Sequence, residues 1–539
     1  MQHPVTAVLL LVLTGLQLLP SAGAIDTPAA TSPLSPAQAA AQVDALFADE
    51  WSRQDVIPAA PATDNEFVRR LYLDLAGRIP AVSEARQFLS DQRPDKRVQL
   101  VDHLLDSPAS MRHLTIVWRN ALIPQAVSQP QFRGLIPGFE AWLWKHMSEN
   151  TSYDKLVREI ITTPVNAGRN QPGVLNAASS PEAFFVVREL KPENLATGTA
   201  RAFLGVRIDC AQCHDHPFDR WKRQQFWNLA AFYAGFERPP EESPDNGLMA
   251  VVERPNAHTI RIPGTDDTVP AVFLTGQQPV WPEDSGSSRQ TLADWVTAPQ
   301  NPWFAKMAVN RVWAGFFGQG LVQPTDDFSE NNPPSHPRVL DFLADEFVAH
   351  HFDLQFLIRT MAATRVYQTS SLQTHASQAD PAQFAKAPLR GLTPEQFFDS
   401  LAEAVGFYQP FRMDNPFVLD DNSPRSRYLE LYRDDAESPL QRETTILQAL
   451  AMMNGEFVET ATSTERSQTL RAVIDFPLMS DAERLETLFL ATLSRVPTDS
   501  EQQVFTEYLQ ECESRTDPDS GLADVFWVLL NSSEFLLNH

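Results

Sequence analysis

The sequence is organised around Cys210-Ala211-Gln212-Cys213-His214-Asp215-His216-Pro217. Its first five residues have the Cys-x-x-Cys-His spacing by which c-type haem is attached. In such sites the two thiols form thioethers with the porphyrin and the histidine ligates the iron. On a helical turn, positions i, i+3 and i+4 share one face. We therefore predict that Cys210, Cys213 and His214 face one flat ligand.

The sequence on both sides of this motif predicts helix. Residues 196–206 have the apolar spacing of a helix that leads into the motif, and Pro217 ends any continuation. We predict that Asp219 caps the next helix. That helix would carry a dense set of aromatic side chains, namely Trp221, Phe226, Trp227, Phe232 and Tyr233. These rings form either the wall of a haem pocket or an ordinary aromatic core, and both interpretations stay open here.

Helix-capping signals recur along the rest of the chain. Ser35 before a proline predicts a helix start, and Thr63 to Glu66 forms a capping box ahead of apolar residues at helical spacing. Gly77 is suited to end that second helix in a left-handed conformation. Further capping boxes lie at residues 393–396, 480–483 and 498–501. The sequence therefore predicts a mainly α fold.

The composition changes in the middle of the chain. Residues 238–246 are rich in proline and acidic residues, and residues 248–274 contain short β-rich runs broken by proline and glycine. We predict two helical domains with a small β-rich insertion between them. The N-terminal helical domain is predicted over residues 37–238, the insertion over 247–276 and the C-terminal helical domain over 289–539.

The first 24 residues have the pattern of an export signal. The apolar run from Val5 to Leu19 is short for a membrane span, and Ala22-Gly23-Ala24 matches a signal-peptide cleavage site. We predict a signal peptide over residues 1–24 and a flexible linker over 25–36, which places the protein in the periplasm or cell envelope. Because no Lys or Arg precedes the apolar run, an uncleaved anchor is the alternative, and no other membrane span is predicted.

Charge and cysteine content exclude several classes of protein. A formal net charge of −25 without a basic block argues against a nucleic-acid partner and against an anionic membrane surface. Three cysteines are too few for a disulfide scaffold. Cys512 falls on an apparent helix, and we predict that it is a buried thiol without a role.

Several longer strings resemble a family of secreted planctomycete proteins built from two paired domains of unknown function. The strings are Phe67-Val68-Arg69-Arg70-Leu71-Tyr72-Leu73-Asp74-Leu75, the cysteine motif continued as Phe218-Asp219-Arg220-Trp221, Asn310-Arg311-Val312-Trp313, Asn332-Pro333-Pro334-Ser335-His336-Pro337 and Arg365-Val366-Tyr367-Gln368-Thr369-Ser370-Ser371. The resemblance covers nearly everything from about residue 45 onward. It implies that the first domain is cytochrome-like.

The haem interpretation assigns haem c as the cofactor. Cys210 and Cys213 are then its thioether anchors, and His214 is the ligand on one side of the iron. The function would be outer-sphere electron transfer with a redox partner protein, without chemistry on a substrate. The sixth iron ligand is not defined by the sequence, and the candidates for it are Met249, His258 and His336.

Zinc is the alternative cofactor. A tetrahedral structural site could draw its ligands from the set Cys210, Cys213, His214, His216 and Asp219. The protein would then be a zinc-stabilised scaffold of the cell envelope. A third interpretation is a plain dithiol or disulfide with core histidines nearby.

A loop in the C-terminal domain is a second candidate site. Asp326, Asp327 and His336 are oxygen and nitrogen ligands that lie close in sequence and could hold a divalent cation or perform acid–base chemistry. A hydrolase or carbohydrate-acting protein with its site in this domain is the corresponding alternative function. The simpler interpretation, which we favour, is that the aspartates stabilise a turn.

Overall fold

A computed structural model describes residues 33–165, 179–237, 252–254, 256–281, 287–408, 423–431, 455, 458–459, 462–512 and 519–539. The predicted signal peptide and residues 25–32 of the predicted linker lie outside these residues. No helix in the described ranges is both long enough and apolar enough to cross a membrane.

The fold is mainly α, as predicted. The helices before the insertion are α1 (Pro36–Arg53), α2 (Asp64–Ala76), α3 (Val82–Ser90), α4 (Lys96–Leu105), α5 (Pro108–Leu122), α6 (Pro124–Ser128), α7 (Ile136–Ser148), α8 (Tyr153–Thr162), α9 (Ala183–Val186), α10 (Pro192–Thr199) and α11 (Arg223–Ala230). A π-helical turn (Ala200–Leu204) continues α10, and 3₁₀ turns occupy Pro130–Leu135, Asp209–Gln212 and Ala231–Tyr233.

Helices also form most of the chain after the insertion. They are α12 (Ser288–Val296), α13 (Phe304–Phe317), α14 (Pro337–Ala349), α15 (Leu354–Ala363), α16 (Pro394–Val405), α17 (Pro424–Leu431), α18 (Gln468–Ile474), α19 (Asp481–Leu493), α20 (Asp499–Cys512), α21 (Ser520–Leu530) and α22 (Ser533–Leu536). Short 3₁₀ turns lie at Ala376–Gln378 and Pro381–Gln383.

The capping signals start and end helices where the sequence predicts. Ser35 caps α1, and Thr63 and Glu66 form a reciprocal capping box at the start of α2, where the Thr63 N–H donates to Glu66 Oε2 over 3.0 Å. Gly77 ends α2 with a φ of 68°. These interactions join residues three or four positions apart, so the local sequence suffices to specify them.

The predicted β-rich insertion is confirmed as two small antiparallel pairs. β1 (Phe236–Glu237) pairs with β2 (Val252–Glu253), and β3 (Thr259–Arg261) pairs with β4 (Thr268–Pro270). A third pair, which the sequence did not predict, joins β5 (Arg390–Gly391) to β6 (Leu537–Asn538).

The apolar core is continuous across the insertion. One cluster of buried side chains extends from Ala39 to Ala385, and a second contains Leu392 to Phe535 together with Leu73 and Ile79. The described residues from Leu34 onward accordingly belong to one compact unit. The domain boundaries inferred from composition stay a prediction.

A buried carboxylate joins α2 to residues far along the chain. The Asp74 side chain is 2% exposed and accepts from Arg390 over 2.7 and 2.9 Å, from the Tyr367 hydroxyl over 2.9 Å and from Asn538 Nδ2 over 2.8 Å. Because a buried charge is tolerated only when it is fully paired, these contacts fix α2 against three later segments.

Two neighbouring arginines of α2 make similar long-range contacts. Arg69 donates to the carbonyls of Thr492 and Phe535, each over 2.9 Å. Arg70 donates to the carbonyl of Thr369 over 2.9 Å and to that of His539 over 3.2 Å. Three charged residues of one helix therefore have hydrogen-bond partners among residues 367–539.

Replacing Asp74 should severely destabilise the protein. Asp74→Asn leaves the buried Arg390 guanidinium without its counter-charge, and we expect a loss of roughly 3–5 kcal/mol in the free energy of unfolding. Chemical denaturation followed by circular dichroism measures this loss. The control is Asp266→Asn, which removes a fully exposed carboxylate next to Arg261 and should change stability by less than about 1 kcal/mol. Equal effects of the two substitutions would contradict the role assigned to Asp74.

Candidate functional site

The cysteine motif lies in a loop that leads from the π-helical turn to α11. Gly205 ends the turn in a left-handed conformation, and the 3₁₀ turn covers only Asp209–Gln212. Cys213 follows it, and His214 lies beyond the end of helical structure. The prediction that Cys210, Cys213 and His214 occupy one helical turn is therefore wrong for His214. We call residues 205–222 the cysteine loop.

The reactive side chains of the cysteine loop point towards solvent. Cys210 and Cys213 are exposed and free, and His214 is exposed as well. Between them Ala211 is fully buried, and the Trp227 indole N–H donates to the carbonyl of Gln212 over 3.0 Å. The inner face of the turn is thus anchored to α11 while both thiols remain accessible.

The His214 ring is held in one tautomer. Its Nδ1 lies 2.7 Å from the carbonyl oxygen of Asp215. Because a carbonyl only accepts, Nδ1 carries the proton and Nε2 retains its lone pair. Metal-ligating histidines are commonly oriented by a hydrogen bond from the other ring N–H to a backbone carbonyl. His214 can therefore offer Nε2 to a metal.

Asp215, and not Asp219, caps the helix after the motif. Asp215 Oδ1 accepts from the backbone N–H of Arg223, the first residue of α11, over 3.0 Å. Asp219 instead accepts from the N–H of its neighbour Arg220. The prediction for Asp219 is wrong because the loop turns back on itself, with the His216 N–H donating to the Trp221 carbonyl over 2.8 Å.

The predicted zinc ligands do not converge. Among the described residues, no group of three or more His, Cys, Asp and Glu side chains is arranged to hold a metal ion. His216 Nδ1 accepts from the Phe218 N–H over 3.3 Å. Cys210, Cys213 and His214 are close in sequence on the loop, and His216 and Asp219 have hydrogen-bond partners of their own.

The C-terminal loop that carries Asp326 packs beside the cysteine loop. This α13–α14 loop spans residues 318–336. Asp326 accepts from Arg201 over 2.7–2.8 Å and from Arg207 over 2.6–3.0 Å. Burial raises the pKa of Asp326, but the charge of Arg201 and the hydrogen bonds from both arginines outweigh it, so the pKa lies below its usual value. Asp326 is therefore ionised, and its ion pairs join the α13–α14 loop to Arg201 and Arg207.

The second candidate site is not assembled. Asp326 is occupied by two arginines, and the Asp327 carbonyl accepts from Asn332. His336 is buried, with its ring 4.5 Å from that of Phe47. The structure does not bring Asp326, Asp327 and His336 together as ligands, and the turn-stabilising interpretation of the aspartates agrees with the contacts.

The candidate sixth ligands have other environments. His258 stacks on Trp281 with ring centroids 3.7 Å apart and contacts the Ser288 hydroxyl over 2.8 Å. His336 packs against Phe47, and Met249 lies outside the described residues.

The aromatic residues after the motif belong to the core. Trp221, Phe226, Trp227, Phe232 and Tyr233 are each at most 2% exposed. Trp221 packs on Trp303, and Phe232 stacks on Phe273. The core interpretation is confirmed over the haem-wall interpretation.

Two family models match the chain. PSCyt2, described as a protein of unknown function (DUF1549), matches residues 42–238, and PSD1, described likewise (DUF1553), matches residues 288–430 and 426–509. The chain belongs to this two-domain PSCyt2–PSD1 family. No curated protein and no solved structure matches it.

The strings that predicted membership in the PSCyt2–PSD1 family are contact points between the two matched regions. Asp74 and Tyr367 are joined directly by a hydrogen bond. Arg311 donates to the carbonyl of Ala202, just before the cysteine loop, over 2.7 Å. Asn310 shapes the α13–α14 loop by exchanging hydrogen bonds with Val322. Two of these contacts therefore join the matched regions, and the one from Arg311 lies next to the candidate site.

Sequence reasoning missed the residues that hold the cysteine loop in place. Arg201 and Arg207 contact Asp326, and the Phe328 N–H donates to the Gly205 carbonyl over 2.7 Å. The local signal for these contacts is limited to Gly205, and a glycine after an apolar helical run indicates a helix end rather than a contact with another loop. The arginine contacts span more than a hundred residues and have no local signature.

Gly205 should tolerate a side chain poorly. Its φ is +66°, and a Cβ there would lie 2.5 Å from Phe328 Cδ2 and 2.8 Å from Met307 Sδ. We expect Gly205→Ala to lower the free energy of unfolding by about 2–4 kcal/mol, through backbone strain and overpacking together. The matched control is Gly264→Ala, where φ is +76° and a Cβ meets nothing within 4 Å. That control isolates the backbone strain, which is about 1 kcal/mol. Urea denaturation should therefore show a larger loss of stability for Gly205→Ala than for Gly264→Ala.

Stability should fall as the pH drops below about 6.5, and His336 should contribute to the loss. Burial lowers the pKa of His336 to about 4, although Glu50 and Asp380 oppose the shift. The unfolded chain therefore binds a proton between about pH 6.5 and 4 that the folded chain does not, and roughly 2–3 kcal/mol of stability is lost across this window.

The substitution His336→Leu removes this titrating group without adding volume. Stability measured by urea denaturation from pH 7 to pH 4 should fall less steeply than in the wild type. His103→Leu, on the exposed surface of α4, should keep the wild-type slope. An unchanged slope in His336→Leu would contradict the assignment.

Proposed function

We propose that the protein is an exported c-type haem-binding protein that exchanges single electrons with a redox partner protein. The donor set carries this proposal: two free, exposed thiols with Cys-x-x-Cys spacing beside an imidazole that offers Nε2. Membership in the PSCyt2–PSD1 family is consistent with it, although the family description assigns no function.

Each residue of the donor set would have a defined role. Cys210 and Cys213 would anchor the porphyrin covalently, and His214 would ligate the iron through Nε2 while the Asp215 carbonyl keeps its ring oriented. Haem supplies a one-electron couple when bound. Because the three side chains are exposed, an attached group would lie where a partner protein can approach it.

The cellular location is part of the proposal. Covalent attachment of haem takes place outside the cytoplasm in bacteria, where disulfides also persist. The signal-like residues 1–24 support export to the periplasm or cell envelope.

Co-expression with a cytochrome c maturation system tests the function. The exported wild type should be red, show a Soret band and retain its chromophore through denaturing electrophoresis. Cys213→Ala should lower the amount of covalent chromophore, and the double variant Cys210→Ala/Cys213→Ala should lose it completely, because no thiol of the motif is left to form a thioether. His214→Ala should keep covalent haem but change its absorption spectrum, because the iron loses a ligand.

The chain offers a matched control for the cysteine substitution. Cys512 is fully buried in α20, as predicted, and Cys512→Ala should retain wild-type haem content. A folded wild type that carries about one zinc per chain and no Soret band would refute the haem proposal and favour the zinc-stabilised scaffold.

A further inference from the structure

The α13–α14 loop contacts the segment that leads into the cysteine motif at several points. The Phe328 N–H donates to the Gly205 carbonyl, and Asp326 bridges Arg201 and Arg207, which lie on either side of that glycine. Further along the cysteine loop, Asn331 donates to the carbonyl of Phe218. The α13–α14 loop of the PSD1 region thus contacts the cysteine loop of the PSCyt2 region at both ends.

Asp326 is the charged centre of this contact. Its side chain is 22% exposed and accepts from two guanidinium groups whose side chains are 44% and 32% exposed. Arg201 also lies 4.0 Å from Asp209, the residue directly before Cys210. Without the Asp326 carboxylate, the two arginines would repel each other across the turn that precedes the motif.

Asp326 and its two arginines are partly exposed side chains that join two loops and lie outside the apolar core. A substitution here should therefore cost some stability but leave the protein folded. The same substitution removes the link between the two loops. The effect on the position of the cysteines can therefore be measured separately from the effect on folding.

We propose that Asp326 is a positioning residue for the haem-attachment site, supplied by the PSD1 region. It holds Arg201 and Arg207 together and so fixes the segment that presents Cys210, Cys213 and His214. For the haem-loaded protein, this role of Asp326 rests on the proposed function. In the unloaded protein it concerns the conformation of the cysteine loop alone.

The first experiment measures hydrogen exchange of the His216 and Ala211 backbone amides in the unloaded full-length chain, with the amides of α2 as a reference for global stability. The His216 N–H donates to the Trp221 carbonyl and the Ala211 N–H to the Ile208 carbonyl. Asp326→Asn should speed the exchange of both amides by at least about threefold, because loss of the contact lets the loop open more often. Asp326→Glu should restore most of the wild-type rate. Asp327→Asn, whose backbone contact to Asn332 is unaffected, should match the wild type.

The second experiment uses the haem-loaded protein. Asp326→Asn should at least halve the fraction of chains that carry covalent haem. It should also raise the midpoint potential of the haem that remains, because a negative charge near the site is lost. A purely structural role would lower the haem content without shifting the potential of the haem that remains.

Wild-type exchange rates of these amides in a folded Asp326→Asn chain would overturn the proposal. Should that variant fail to fold, Arg201→Gln and Arg207→Gln each remove one partner, and wild-type rates in both would overturn it equally. A wild type without haem would refute the proposed function, while the hydrogen-exchange comparison would still decide the role of Asp326.

Discussion

The buried ion pair between Asp74 and Arg390 is the constraint on which the fold depends. A carboxylate that is almost fully removed from water must have a partner for each of its lone pairs, because an unpaired buried charge costs several kcal/mol. In this protein Arg390, Tyr367 and Asn538 provide those partners. The helix that carries Asp74 therefore cannot take its final position without three segments from the other end of the sequence.

The candidate site also depends on contacts between residues that are far apart along the chain. The cysteines and the histidine lie in the PSCyt2 region, but the loop that presents them is held by Arg311, Asp326 and Phe328 from the PSD1 region. The pairing of the two family models along the chain thus has a physical basis. The first region supplies the reactive groups, and the second supplies much of what keeps them in place.

The sequence was informative wherever an interaction is local. Helix starts at Ser35 and Thr63, the helix end at Gly77 and the β-rich insertion could be predicted because each depends on residues a few positions apart. The accessible Cys-x-x-Cys pair could also be identified, but its exact conformation could not. His214 leaves the helical turn because Asp215 caps α11 from a distance of eight residues. The link from Asp326 to Arg207 spans 119 residues, and no pattern in the sequence indicates such a partner.

The distance along the chain between Asp74 and Arg390 has a consequence for biosynthesis. A ribosome that adds 5–20 residues per second needs roughly 15–60 s to make the 316 residues that separate them. For most of that interval none of the later residues that pair with the carboxylate and the two arginines of α2 has been made. The final packing of α2 therefore waits until most of the chain has left the ribosome.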